Sequence, residues 1–85
     1  MKNNAVIMGR FIDLLNVLDM RTHIAVFGYD VDGKEIRLFD TMPVYQIITR
    51  INDRHNKEDR ELRDYDVIAL NVGLTASILI KKGEY

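Results

Sequence analysis

The residues best suited to chemistry lie in the stretch FGYDVDGKEIRLFD, residues 27–40, where four acidic side chains surround one glycine. An EF-hand calcium loop needs oxygen ligands at positions one, three and five, glycine at position six and glutamate at position twelve. With Gly33 at position six, Gly28 falls at position one and Phe39 at position twelve. Because the first and last ligands are missing, the pattern favours a turn and predicts no metal site.

A β-hairpin explains the same stretch. The runs THIAVFGYD and EIRLFD are rich in β-branched and aromatic residues, which is typical of strands, and DVDGK lies between them. Asp30 can accept hydrogen bonds from backbone N–H groups two residues on, and Gly33 can adopt positive φ at little cost. These features predict a loop of three residues with a glycine bulge.

The length of this loop decides which side chains share a face of the hairpin. A loop of three residues pairs Gly28 with Ile36 and places Leu38 opposite Val26. One face then carries Ala25, Phe27, Tyr29, Glu35, Arg37 and Phe39. A loop of two residues remains open as an alternative. It shifts the pairing by one position, so that Phe27, Tyr29, Ile36 and Leu38 share one face and Ile24, Val26 and Phe39 share the other. In either register, each face carries several large apolar side chains.

The remaining segments predict two helices and a second hairpin. Apolar residues at helical spacing predict a helix over about residues 8–19 and another that begins near Pro43 and extends to about residue 56 or further. Asp40 or Thr41 is expected to cap the second helix. The runs DVIALNV and TASILIKK alternate like strands, with a turn at Gly73 and Leu74. The alternation in this second hairpin predicts two apolar faces. One face is expected to carry Ile68, Leu70, Ile78 and Ile80, and the other Val67, Ala69 and Leu79.

The order of these elements, αββαββ, predicts a single α+β domain over residues 1–85. Its four-stranded, mostly antiparallel sheet consists of two hairpins, with two helices on one face. The 85 residues include no cysteine, which excludes disulfides and thiolate metal sites. A net charge of −1 gives no electrostatic reason to expect duplex DNA or an anionic membrane as partner. No apolar run is long enough for a signal peptide or a membrane span, so we expect the cytoplasm.

No constellation of residues predicts catalysis. His23 and His55 are separated by a predicted helix, and Ser77, the only serine, lies in an apolar strand without a nucleophile motif. The glycines are scattered and form no phosphate-binding loop. We therefore expect no catalytic residue, no cofactor and no enzyme activity.

An interaction surface is the remaining functional prediction, and its expected residues are Phe27, Tyr29, Arg37 and Phe39. Two short helices cannot cover both faces of the sheet, so the aromatic face is expected to bind a partner, most simply a second copy of the chain. Helices on opposite faces, or coverage by residues 52–64, would instead leave a monomer. Alternatively, the same aromatic residues with Arg37, Lys81 and Lys82 could stack single-stranded nucleic acid. A third hypothesis is a small-molecule or ion site at the first hairpin.

Five segments together show a resemblance to a known group of proteins. The pattern FIDLLNVL, HIAVFGYDVDGKEIRLFD, MPVYQIITRI, LRDYDVIALNV and SILIKK resembles small accessory proteins of prophages and mobile elements in Gram-positive bacteria. The features in common are a leading LL helix, a DxDG hairpin, a short helix after a proline and a YxV strand followed by a last strand. This resemblance implies a genomic setting and no particular activity, and it transfers no functional residue to this chain.

Overall fold

A computed structural model describes residues 9–71 and 75–83 of the chain. Its elements are α1 (Phe11–Val17), β1 (His23–Tyr29), β2 (Glu35–Pro43), α2 (Val44–Ile51), α3 (Lys57–Glu61), a 3-10 helix (Leu62–Asp64), β3 (Asp66–Asn71) and β4 (Ala76–Lys81). The predicted α+β class and αββαββ order are confirmed, with α3 and the 3-10 helix as additions. The predicted turn at Gly73 and Leu74 lies outside the described residues. No helix in the described ranges is long and apolar enough to cross a membrane.

The four strands form one mixed sheet in the order β2-β1-β4-β3. Each hairpin is antiparallel, as predicted, but the two hairpins meet through a parallel pairing of β1 with β4. The two central strands, β1 and β4, therefore run in the same direction, and their last residues, Tyr29 and Lys81, lie at the same end of the sheet.

One face of the sheet forms the hydrophobic core with the helices. The sheet contributes Ile24, Val26, Phe39, Val67, Ile78 and Ile80 to this core. The helical segments contribute Phe11, Ile12, Leu15, Val44, Ile47, Ile51 and Leu62. Because all these sheet residues project from the same side of the pleat, both predicted helices cover one face, which we call the covered face.

Helix α1 is shorter than the predicted helix. It begins after Gly9, whose φ of 98° is left-handed, and it ends at Leu18, where the backbone becomes extended. The Arg10 guanidinium donates to Asp13 at 3.1 Å and to Asp64 at 3.0 Å, which ties the start of α1 to the 3-10 helix. The hydrogen bond from Arg10 to Asp13 and the negative charge of Asp13 raise the pKa of Arg10 above its ordinary value.

Helix α2 begins without the predicted side-chain cap. Strand β2 continues through Asp40 and Thr41 as far as Pro43, so neither residue caps the helix. The backbone of the loop before β1 supplies the acceptors instead. The Val44 N–H donates to the Thr22 carbonyl at 2.9 Å, and the Tyr45 N–H donates to the Met20 carbonyl at 3.1 Å. Tertiary contact thus satisfies N–H groups that have no partner within the helix.

The charged segment after α2 forms a separate short helix, so the predicted extension of α2 to residue 56 is wrong. Helix α2 ends at Ile51, and α3 begins after Asn56. The Asn56 side chain accepts from the Asp59 N–H at 3.2 Å and donates to the Asp59 carboxylate at 2.8 Å. This reciprocal cap stabilises a helix that has no buried residue of its own.

Both edge strands contain a bulge, and each bulge changes the face of a residue. In the first hairpin, Gly28 pairs with Ile36 as predicted, but Val26 pairs with Phe39 because Leu38 is an extra residue. In the second hairpin, Val67 pairs with Ile80 and Ala69 with Leu79, so Ile68 is the extra residue. The predicted placements of Phe39 and Val67 are therefore wrong, since both point into the core.

Candidate interaction surface

The other side of the sheet, which we call the open face, is formed by the residues that alternate with the core residues. Cross-strand pairs place these residues together: Phe27 with Arg37 and Leu79, Tyr29 with Glu35, and Ala69 with Leu79. The pairs at its margins are Asp66 with Lys81, Ala25 with Ser77, and Asn71 with Ser77. Ala25 is buried, with 4% of its surface exposed, whereas the other residues named here are half-buried or exposed.

Phe27 lies in the middle of the open face, on a central strand. The Arg37 guanidinium lies over its ring, with 5.2 Å between the guanidinium carbon and the ring centroid. Arg37 also forms an ion pair with Asp40 at 3.5 Å, which helps to hold the guanidinium in this position. Phe27 is consequently half-buried, and the centre of the open face combines an aromatic ring with a cation.

Three of the four predicted surface residues lie together on the open face. Phe27 and Tyr29 are two residues apart on β1, and Arg37 is the partner of Phe27 on β2. Tyr29 is 40% exposed. Phe39, by contrast, is 2% exposed and belongs to the core, so its prediction as a surface residue is wrong. The exposed aromatic area is therefore smaller than the sequence indicates.

Strand β4 adds two residues to the open face: Leu79, which was not predicted as a site residue, and Lys81, which was named only for the nucleic-acid alternative. Leu79 lies beside Phe27 across the parallel pairing, and Lys81 follows two positions later. Their alternation with Ile78 and Ile80 is visible in the sequence. What the sequence does not show is that β4 lies next to β1, since this strand order depends on a long-range parallel contact.

The open face carries charges of both signs. Glu35, Arg37 and Asp40 lie on β2, while Asp66 and Lys81 are cross-strand partners at the other side of the sheet. Three acidic and two basic side chains thus surround the apolar centre. A surface with this slight excess of negative charge offers little long-range attraction to a polyanion.

The acidic loop is a hairpin turn in the structure. The Asp30 carboxylate accepts from the N–H groups of Asp32 and Lys34, both at 2.9 Å. The Gly33 N–H donates to the Asp30 carbonyl at 3.0 Å, and the φ of Gly33 is 83°. The predicted loop of three residues with a glycine bulge is confirmed, and the register based on two loop residues is wrong. Within residues 9–71 and 75–83, no group of three potential metal-ligating side chains lies close enough to hold an ion.

Comparison with known proteins found no match: no family model matches the chain, and no curated protein and no solved structure is significantly similar to it.

Proposed function

We propose that the protein is a non-enzymatic interaction module that associates with a second copy of itself through the open face. The observation that carries this proposal is the sheet face with Phe27 and Leu79 at its centre and Tyr29 at the end of β1, which the described helices do not cover. Burial of these side chains against another apolar surface is favourable, and a symmetric dimer satisfies both surfaces at once.

The edges of the sheet are less suited to association than the open face. Strand β2 carries the bulge at Leu38, and β3 carries the bulge at Ile68. At the start of β3, backbone groups on the outer side of the strand already have hydrogen-bond partners in residues 9–11. The Val67 N–H donates to the Gly9 carbonyl at 2.9 Å, and the Tyr65 carbonyl accepts from the Phe11 N–H at 2.8 Å. Bulges and covered edges oppose strand addition, so packing through the face is favoured.

The size of the open face limits the affinity. Four strands about 4.8 Å apart, each about 20 Å long, give a face of roughly 400 Å² per copy. Both faces together bury about 800 Å², which is below the roughly 1,200–2,000 Å² of stable complexes. We therefore expect a weak, rapidly exchanging dimer with a dissociation constant on the order of 10–1,000 μM.

Sedimentation equilibrium between about 10 μM and 1 mM tests this proposal, because this range brackets the expected dissociation constant. The apparent mass should rise from that of the 9.9 kDa chain towards twice that value. Amide chemical shifts recorded over the same range should change at β1 and β4 and stay constant in α2. A strictly monomeric chain at the highest concentration would contradict the proposal.

A single-stranded nucleic-acid-binding module is the second candidate. The observation that favours it is the guanidinium of Arg37 over Phe27, next to the exposed ring of Tyr29, because such surfaces stack bases. Core burial of Phe39 and the acidic groups Glu35 and Asp66 weaken this candidate. Fluorescence anisotropy of a labelled mixed-sequence oligonucleotide at low salt tests it, and no change at 100-fold protein excess would eliminate it.

The cellular setting is also part of the proposal. We infer a cytoplasmic accessory protein of a prophage or other mobile element, which rests on the resemblance of the five sequence segments. The genes next to the coding sequence provide the test. Integrase, replication or packaging genes are expected there, and a neighbourhood of housekeeping genes only would contradict this setting.

A further inference from the structure

A cleft of about 510 Å³ lies where the parallel strands β1 and β4 both end. Its lining includes Tyr29, Asp30, Gly33, Tyr65, Lys81 and Lys82. The volume falls within the range of about 300–1,000 Å³ that is typical of small-molecule sites.

Hydrogen bonds hold the two walls of this cleft in place. On the hairpin side, Asp30 makes two side-chain bonds to the turn backbone, and its N–H donates to the Lys34 carbonyl at 2.8 Å. On the opposite side, the Tyr65 N–H donates to the Leu62 carbonyl at 3.1 Å, and the Tyr65 carbonyl accepts from Phe11 at 2.8 Å. A site that is formed in advance loses little conformational entropy when a ligand binds.

The chemistry of the cleft combines aromatic rings with cations. Tyr29 and Tyr65 provide two rings and two hydroxyl groups, and Lys81 and Lys82 provide two ammonium groups. Neither lysine forms an ion pair within the described part of the chain. Among the described lining residues, Asp30 is the only carboxylate, and one of its oxygens already accepts two backbone N–H groups.

An adjoining smaller cleft defines where an anion can bind. It shares Tyr65 and Lys82 with the first cleft but also contains Glu61 and Asp64. These two carboxylates repel an anion beside Lys82, so negative charge is favoured nearer Lys81, whose cross-strand partner on β3 is a single carboxylate, Asp66. The free acceptor capacity of Asp30, at the hairpin wall, suits a hydroxyl group instead.

We propose that this cleft binds a nucleoside phosphate. Its base would stack on Tyr29 or Tyr65, its sugar hydroxyls would donate towards Asp30, and its phosphate would bind Lys81 and Lys82. Base, sugar and phosphate are present both in a free mononucleotide and at the end of a single-stranded nucleic acid. Tyr29 and Lys81 belong both to this cleft and to the open face, whereas Tyr65 and Lys82 lie outside the open face.

Amide chemical shifts in a titration with AMP test the site on the full chain. Shift changes should concentrate at Tyr29–Gly33, Tyr65 and Lys81–Lys82, with a dissociation constant of about 1 mM or tighter. Adenosine alone and inorganic phosphate alone should each bind at least about tenfold more weakly, because each makes only part of the contacts. Phosphate affinity equal to that of AMP would overturn the proposal.

Lysine variants test whether the two ammonium groups bind the phosphate. The double change Lys81→Gln and Lys82→Gln should weaken AMP binding roughly tenfold or more, because two charge-assisted contacts are lost. Lys57→Gln on α3, outside the cleft lining, is the matched control and should bind like the unchanged chain. Unaltered AMP affinity in the double variant would overturn the proposal.

Two further measurements identify the source of the nucleotide and exclude an effect of dimerisation. A short oligodeoxyadenylate that binds at least tenfold more tightly than AMP would identify a single strand as the source, and equal or weaker binding would identify the free nucleotide. Phe27→Glu, a change outside the cleft lining, should keep AMP affinity even if it abolishes self-association. Loss of AMP binding in the Phe27→Glu variant would contradict the proposal, because the cleft would then require the dimer.

Discussion

Phe27 and Phe39 lie on neighbouring strands, and each has an arginine over its ring. Arg37 lies 5.2 Å from the Phe27 centroid, and Arg50 lies 5.9 Å from the Phe39 centroid. Their surroundings nevertheless differ. Phe39 is part of the core under α2, whereas Phe27 is half-buried on the open face. Both rings are phenylalanines with a neighbouring cation, so these two features do not explain the difference. The face of the sheet on which each ring lies decides its role.

The largest difference between the two faces should appear on truncation of the two rings. Phe39→Ala is expected to destabilise the fold by about 3–5 kcal/mol, because it leaves a cavity in the core. Phe27→Ala should cost only about 1 kcal/mol, because its ring is partly in water already. Urea unfolding followed by circular dichroism measures both values. Equal losses for the two variants would show that the two faces do not differ in packing.

A charge on the open face should affect association more than folding. Phe27→Glu is expected to weaken dimerisation at least about tenfold, because it places a carboxylate at the centre of the interface. Tyr45→Glu is the matched control, since Tyr45 is 55% exposed on α2, away from the open face. Sedimentation equilibrium compares the two variants. If both weaken the dimer equally, the interface is not the open face.

A methyl group added at Gly28 should test the packing of the covered face. A Cβ atom there would lie 2.7 Å from Leu38 Cδ1 and 3.5 Å from the Ile80 carbonyl oxygen. Gly28→Ala is therefore expected to cost about 1–2 kcal/mol, because the Leu38 side chain must move. In a double-mutant cycle, Leu38→Ala should cost less in the Gly28→Ala background than alone. If the free-energy changes of the two single variants add up to that of the double variant, the contact with Leu38 is not the cause of the lost stability.

The smallest expected effects concern the two arginines. Arg37→Gln and Arg50→Gln should each cost about 0.5–1 kcal/mol or less, the usual range for an exposed cation over a ring. Only Arg37→Gln should also change the dimerisation constant, because Arg50 lies on the covered side. Thermal unfolding and sedimentation of both variants provide the test. An equal effect of both on dimerisation would contradict the assignment of faces.

Local patterns in the sequence predict the elements of this protein, and the reasons are physical. The hairpin turn at Asp30 and Gly33 follows from turn chemistry over a few residues, and the helical stripes follow from periodicity. The faces of Phe39 and Val67 could not be predicted, because one extra residue in a strand reverses the alternation and no residue type marks a bulge. Of the surface, Phe27, Tyr29 and Arg37 were predictable, whereas the position of Leu79 and Lys81 beside them required the strand order.

The start of α2 illustrates the same limit. Its first N–H groups bind carbonyls of Met20 and Thr22, which precede it by more than twenty positions. Asp40 and Thr41 have suitable side chains for a cap, but they lie within β2, which pairs with β1 on either side of them through Phe39 and Met42. Tertiary structure thus overrides a local signal that is reliable in isolated helices.

The parallel pairing in the middle of the sheet has a consequence for how the chain reaches its native state. Either hairpin can form from neighbouring residues within microseconds. The contact between Ile24 and Ala76, however, joins positions roughly fifty residues apart, and such contacts slow folding because a long loop must close first. The central β1–β4 ladder should therefore form late, as the step that joins two already paired halves into one cooperative unit.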